Sequence, residues 1–91
     1  MKTAVLTGAS SGIGAALAEE LLLLGYKVFG IGRDFTTFLS ETAEDAALAP
    51  LLHHFTPIVL DLAQTGILAE KIRQIRKLNK ISLLINNAGV G

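Results

Sequence analysis

The run Thr7-Gly8-Ala9-Ser10-Ser11-Gly12-Ile13-Gly14 spaces three glycines so that bare backbone can be brought against an anion. Gly8 lets a chain leave a strand in a tight turn, Gly12 lets the backbone approach a diphosphate, and Gly14 lets a helix pack closely on a strand. A helix opening at Gly12 would aim its unpaired N–H groups and the positive end of its dipole at phosphate oxygens. The spacing is G-x-x-x-G-x-G rather than the G-x-G-x-x-G of the best-known dinucleotide fingerprint. A P-loop is excluded, because Ile13-Gly14 follow Gly12 where Lys-Ser/Thr would be needed. The bland alternative is a glycine-rich turn with a purely structural purpose, and the elements on either side argue against it.

Those elements read as follows. Lys2 to Thr7 is a short apolar and β-branched run that stops at Gly8, as a buried strand entering a turn does. From Gly12 to about Leu24, Ala16, Leu17, Leu21 and Leu24 fall at helical spacing, and Gly25 stands where a left-handed residue would end the helix. Tyr26 to Ile31 is a second strand, closed by Gly32-Arg33-Asp34. Thr36 or Thr37 can cap a second helix that runs through about Leu48 and ends at Pro50. Phe55 to Leu60 makes a third strand, and Pro57, which cannot donate to a ladder, puts it at a sheet edge. Thr65 can cap a third helix with an apolar stripe of Leu68, Ile72, Ile75 and Leu78; Ile81 to Ile85 is a fourth, nearly all-apolar strand. Strands alternating with helices imply a parallel sheet with right-handed crossovers. A doubly wound order 3-2-1-4 places the third strand at the edge, where Pro57 belongs.

Composition narrows the class. The chain has 91 residues, 8 basic and 8 acidic, no cysteine or tryptophan, 51% apolar residues and a mean hydropathy of +0.52. It is one domain at most, and disorder is excluded, since disorder needs low hydrophobicity and high net charge. Zero net charge gives no general pull toward nucleic acid or anionic lipid. The absence of cysteine removes a disulfide framework and a thiolate metal site, and fits a cytoplasmic protein. No apolar run approaches a membrane span or a signal sequence, Leu21 to Leu24 being the longest obvious one. His53-His54 lacks partner ligands and reads as a loop pair, and Lys71, Arg73, Arg76, Lys77 and Lys80 as a solvated helix face rather than a nucleic-acid patch.

With TGASSGIG after the first strand and Asn86-Asn87-Ala88-Gly89 after the fourth, the whole chain resembles the amino-terminal part of the classical short-chain dehydrogenase/reductase family. The resemblance implies a Rossmann sheet with NAD or NADP bound across the carboxyl ends of the strands. It implies that Gly8, Ser10, Ser11, Gly12, Ile13 and Gly14 line the diphosphate, and that Asp61, followed by Leu62, holds the adenine. Asn87, Ala88 and Gly89 match the turn beside the adenosine ribose and the nicotinamide side, while Asn86 is expected to bond backbone and brace the sheet. For Asp61 the plain alternative is a helix cap or loop carboxylate.

The choice of nicotinamide cofactor falls at Gly32-Arg33-Asp34. Counting about 20 residues past the glycines lands on Asp34 and says NAD. Laid against the family pattern, Gly32 stands where NAD-selecting members carry an acid, and Arg33 follows it as in NADP-preferring members. A guanidinium pairs bidentately with phosphate, and Asp34 would hold that arginine or cap the loop. The expectation is NADP, with NAD second.

The family transfers hydride with a Ser and a Tyr-x-x-x-Lys pair, and nothing here matches them. The single tyrosine, Tyr26, is read inside the second strand, Gly30 lies four residues on, and Ser82 precedes the Asn-Asn turn. The chain is therefore expected to be inactive alone, either as a piece of a longer reductase or as a short nucleotide-binding or regulatory module without catalysis. An uncovered fourth strand is expected to drive self-association through its edge or the bare sheet face.

Overall fold

The computed structural model describes residues 1–87. The chain runs β1 (Thr3–Thr7), α1 (Gly12–Leu23), β2 (Lys27–Gly32), α2 (Thr36–Ala43), a 3-10 helix (Ala49–His54), β3 (Phe55–Val59), α3 (Thr65–Leu78) and β4 (Ile81–Asn86). The four strands are parallel and ordered β3-β2-β1-β4, as periodicity and Pro57 predict. Pro57 sits opposite Gly30 on the outer strand β3. Every residue of the interior strand β1 is buried, whereas β4 alternates between half-buried and exposed.

Side-chain alternation divides the core into two layers. On one face Ala4, Leu6, Val28 and Phe55 pack with Ala18, Leu21 and Leu22 of α1, Phe38 of α2 and Leu48. On the other face Val5, Ile31 and Leu60 pack with Ile75 of α3, and Leu68 and Ile72 lie against them. Helices on opposite faces, fed by strands on either side of β1, put a crevice at the carboxyl rim beside β1. Three rings hold the β3 edge to the first layer: Phe55 lies 5.6 Å from Phe35 and 4.8 Å from Phe38, centroid to centroid. They need Gly30, since a Cβ there would fall 2.5 Å from the Phe55 ring.

Several boundaries, caps and facings differ from those read in the sequence. Tyr26 precedes β2, its N–H donating to the Leu21 carbonyl in the turn after α1. Helix α2 stops at Ala43 instead of running to Leu48, because Asp45 accepts from the Ala47 and Leu48 amides and turns the chain back toward β3; Pro50 lies in the first turn of the 3-10 helix. Neither Thr36 nor Thr37 caps α2, and Thr65 begins α3 after Gln64 rather than capping it. Leu78 is 87% exposed, outside the inward stripe of α3. Ten residues beyond Leu68, it is about a quarter-turn out of line at 3.6 residues per turn.

Replacing Phe55 by Ala removes the ring shared by Phe35 and Phe38 under an edge strand. A loss of about 3–5 kcal/mol is expected, read as a lower urea midpoint with an unchanged slope.

Candidate nucleotide-binding groove

The bend between β1 and α1 is pinned from both neighbouring strands. Gly8 and Gly12 take left-handed φ values of 68° and 57°, which side chains rarely allow. From the β2 side, the Ile31 carbonyl accepts the Gly8 and Ala9 amides at 2.8 and 3.2 Å. From the β4 side, Asn87 Nδ2 donates to the Gly8 carbonyl at 3.2 Å, and Thr7 Oγ1 donates to Asn86 Oδ1 at 2.8 Å. Asn86 thus ties β4 to β1 through the Thr7 hydroxyl rather than through the backbone bond expected of it, and the bond onto backbone at the bend comes from Asn87. Gly14 closes the arrangement: a Cβ there would overlap the Gly8 carbonyl oxygen and stand 2.6 Å from its carbon and 2.8 Å from Asn87 Nδ2. Only a residue without a side chain lets α1 seat this close to the bend.

The start of α1 is left open. Ser11 is the N-cap in extended conformation, and its hydroxyl makes no capping bond. Ala15 N–H is bonded to the Ser11 carbonyl, so the amides of Gly12, Ile13 and Gly14 precede the first helical bond. Gly12 and Ile13 are exposed, Ile13 at 74%, and α1 carries no acid in its first turn. Uncompensated amides and the positive dipole end therefore face solvent at the carboxyl rim, an arrangement that favours an anion.

A groove of about 500 Å³ leads away from this point between α1 and α2. Ser10, Ser11 and Gly12 line one end, Arg33 and Asp34 the rim, and Ala15, Glu19, Thr37, Phe38 and Glu41 its walls. None of the wall residues is among the site residues read from the sequence. Their signal was there, since Ala15 with Glu19 and Thr37 with Glu41 are i,i+4 pairs on single helix faces.

At the rim the two candidate selectors part. Asp34 Oδ1 accepts the Thr36 amide at 2.9 Å, so this carboxylate holds the start of α2, the work expected of Thr36 or Thr37. Hydrogen bonds from Thr36, its hydroxyl first and its backbone amide second, keep the Asp34 carboxyl below its ordinary value. Arg33 is exposed, and among the described residues its guanidinium meets no hydrogen-bond or ion-pair partner. Gly32 is buried, and a Cβ on it would lie 2.8 Å from Ser10 Oγ and 3.0 Å from Ser10 Cβ. A side chain at position 32 would therefore press on Ser10, whose hydroxyl would have to turn aside.

Other predicted site residues lie apart. Asp61 is exposed just beyond β3, where its Oδ1 accepts the Ala63 amide at 2.9 Å, and Leu62 packs partly buried against the α3 layer. Neither lines the groove. Ala88 and Gly89 lie outside the described residues. Tyr26, just before β2, and Ser82, near the start of β4, stand at the end of the sheet opposite the rim, Ser82 at an irregularity where Thr3 pairs with Ile81 and Ala4 with Leu83. Among the described residues no group of three or more His, Asp or Glu could hold a metal ion, and no helix is long and apolar enough to cross a membrane.

The short chain dehydrogenase family model matches residues 2–91, and the chain belongs to that family, whose members bind a nicotinamide dinucleotide. An uncharacterized short-chain type dehydrogenase/reductase of Sinorhizobium fredii is 38% identical over 89 residues, covering 98% of this chain and 31% of the relative. The bulky-bulky ketone specific alcohol dehydrogenase from Comamonas testosteroni superposes with a TM-score of 0.72 at 36% identity, over 100% of this chain and 37% of that one. An actinorhodin polyketide ketoreductase variant solved with NADPH gives 0.65 at 26% identity, over 94% of this chain and 32% of its own. The chain spans 31–38% of the length of the curated relatives it matches.

Two outcomes test the site's construction. Gly14→Ala forces a methyl group into the Gly8 carbonyl; a loss of about 1–3 kcal/mol in urea unfolding is expected, with α1 displaced from the bend. For Asp34 the sign follows from its depressed folded value: its stabilisation is present above the unfolded carboxyl value and fades as pH falls through the folded one. Asp34→Ala should therefore melt below the parent protein at pH 7, and the gap should close below about pH 4 in thermal scans.

Proposed function

We propose that this chain is the cofactor-binding portion of an NADP-preferring reductase that moves a hydride between a nicotinamide and a carbonyl or alcohol. When bound, the nicotinamide ring supplies or accepts that hydride at C4. This chain's residues do the holding. The open amides at Gly12 and Ile13, with Gly8, Ser10, Ser11 and Gly14, take the diphosphate, while Asp61 and Leu62 flank the adenine beyond β3. Asn87 serves the adenosine ribose and nicotinamide side, together with Ala88 and Gly89. Asn87 also holds the Gly8 carbonyl, so the bend and the nicotinamide end are positioned by one side chain.

The observation that carries the NADP reading is the division of labour at the end of β2. Asp34 is turned onto Thr36 and is poorly placed to accept from a ribose 2′-OH; Arg33 has an unengaged guanidinium at the groove rim, where it would pair with a 2′-phosphate. Packing supports the same choice, because even a Cβ on Gly32 would press on the Ser10 side chain. We place this protein in the cytoplasm, where a chain without cysteine is at home.

The test is a fluorescence titration of the 91-residue chain with NADPH and NADH, before and after Arg33→Ala. A charge-assisted bidentate contact is worth about 1.5–3 kcal/mol, so NADPH affinity should fall roughly 10- to 100-fold while NADH affinity changes little. Equal losses would remove the assignment of Arg33, and a flat titration with both nucleotides would remove the binding role itself.

A further inference from the structure

Formal neutrality hides an uneven distribution of charge. The layer that covers one face of the sheet, α1 with α2 and the turn after it, carries Glu19, Glu20, Glu41, Glu44 and Asp45, and no Lys or Arg lies within α1, α2 or that turn. All but the half-buried Glu19 are exposed. The opposite layer, α3, carries Lys71, Arg73, Arg76 and Lys77 against one acid, Glu70, with Lys80 directly after it; all are exposed. Glu70 is spent locally, paired with Arg73 at 3.1 Å. Lys27 adds to the same side, since its Nζ reaches past the Phe29 ring to Asn79 Oδ1 at 3.1 Å, at the end of α3. Because α1 and α2 pack on one side of the sheet and α3 on the other, the molecule is polarised across its sheet.

We propose that these faces are complementary docking surfaces for a second copy of this chain, the acidic α1–α2 face of one meeting the basic α3 face of the next. Charge complementarity selects this partner over a polyanion, because an exposed acidic surface is present on every copy. The contact is heterologous, so each added copy leaves one acidic and one basic face open and the assembly does not close at a dimer. Exposed charges are screened within about 8 Å at physiological salt but reach about 30 Å at 0.01 M, so association must weaken steeply as salt rises. This dependence separates the contact from one made through the edge of β4, where Leu84 is 54% exposed. An apolar contact persists or strengthens with salt.

Sedimentation velocity of the 91-residue chain at low and at about 0.3 M salt reads the effect. Mass should grow with concentration at low salt without a fixed limit, and the monomer should return at high salt. Two double variants avoid the groove: Lys71→Glu with Lys77→Glu cancels the basic face, and Glu20→Lys with Glu44→Lys cancels the acidic one. Each should stay monomeric at low salt with an unchanged far-ultraviolet spectrum. Mixed, they should form a one-to-one complex that grows no further, since one intact acidic face meets one intact basic face. That rescue would not arise from misfolding. A monomer at low salt that instead binds random duplex DNA, association indifferent to salt, or self-association that survives in either variant would overturn the proposal.

Discussion

The structure depends on one close approach. Helix α1 can lie against the end of β1 only because Gly14 has no side chain to meet the Gly8 carbonyl. That carbonyl is itself held by Asn87 from β4, and the Gly8 amide by Ile31 from β2. The chains of three adjacent strands therefore converge on a single residue, Gly8, and the direction of α1 is set by where that residue sits. The open amides at the start of α1 point to the carboxyl rim as a consequence. An anion site made from backbone needs this kind of outside support, because the groups that bind are the groups the fold leaves unpaired.

The same economy governs the end of β2. Arg33 and Asp34 are neighbours of opposite charge, and pairing them would cancel both. The fold keeps them apart by giving Asp34 a local task, the Thr36 amide at the start of α2, which also lowers its affinity for protons. Arg33 is left with its charge available in a groove whose other ionisable walls, Glu19 and Glu41, are acidic. A lone cation framed by acids discriminates by position: an anion gains there only if it reaches the guanidinium and stops short of the carboxylates. The rest of the chain repeats this sorting on a larger scale, with acids on one helical layer and bases on the other.

The strand order was legible in advance for a physical reason. A proline in an apolar run can stand only where a ladder bond is not required, and that single residue placed β3 outside. Sequence and structure part where local signals compete. The residues after Ala43 have helical composition, yet Asp45 offers the Ala47 and Leu48 amides a nearer partner than the helix does. Leu78 fits a hydrophobic repeat counted by threes, but the repeat had already drifted off the buried face. By sequence Asp34 can be a ribose acceptor, an arginine partner or a loop cap, and spacing cannot decide among these because all three put it at the same place in the chain.

The sequence by itself determined the element order, the parallel sheet, the glycine bend and its family, since each follows from residues close together in the chain and from periods that hydrophobic burial imposes. Only the tertiary structure decided that Asn87 braces the bend while Asn86 meets the Thr7 hydroxyl, that Ser10 lies beside Gly32, and that Glu19 and Glu41 share a groove with Arg33. These are contacts between segments whose separation is set by how helices pack on a twisted sheet. No local pattern records that distance.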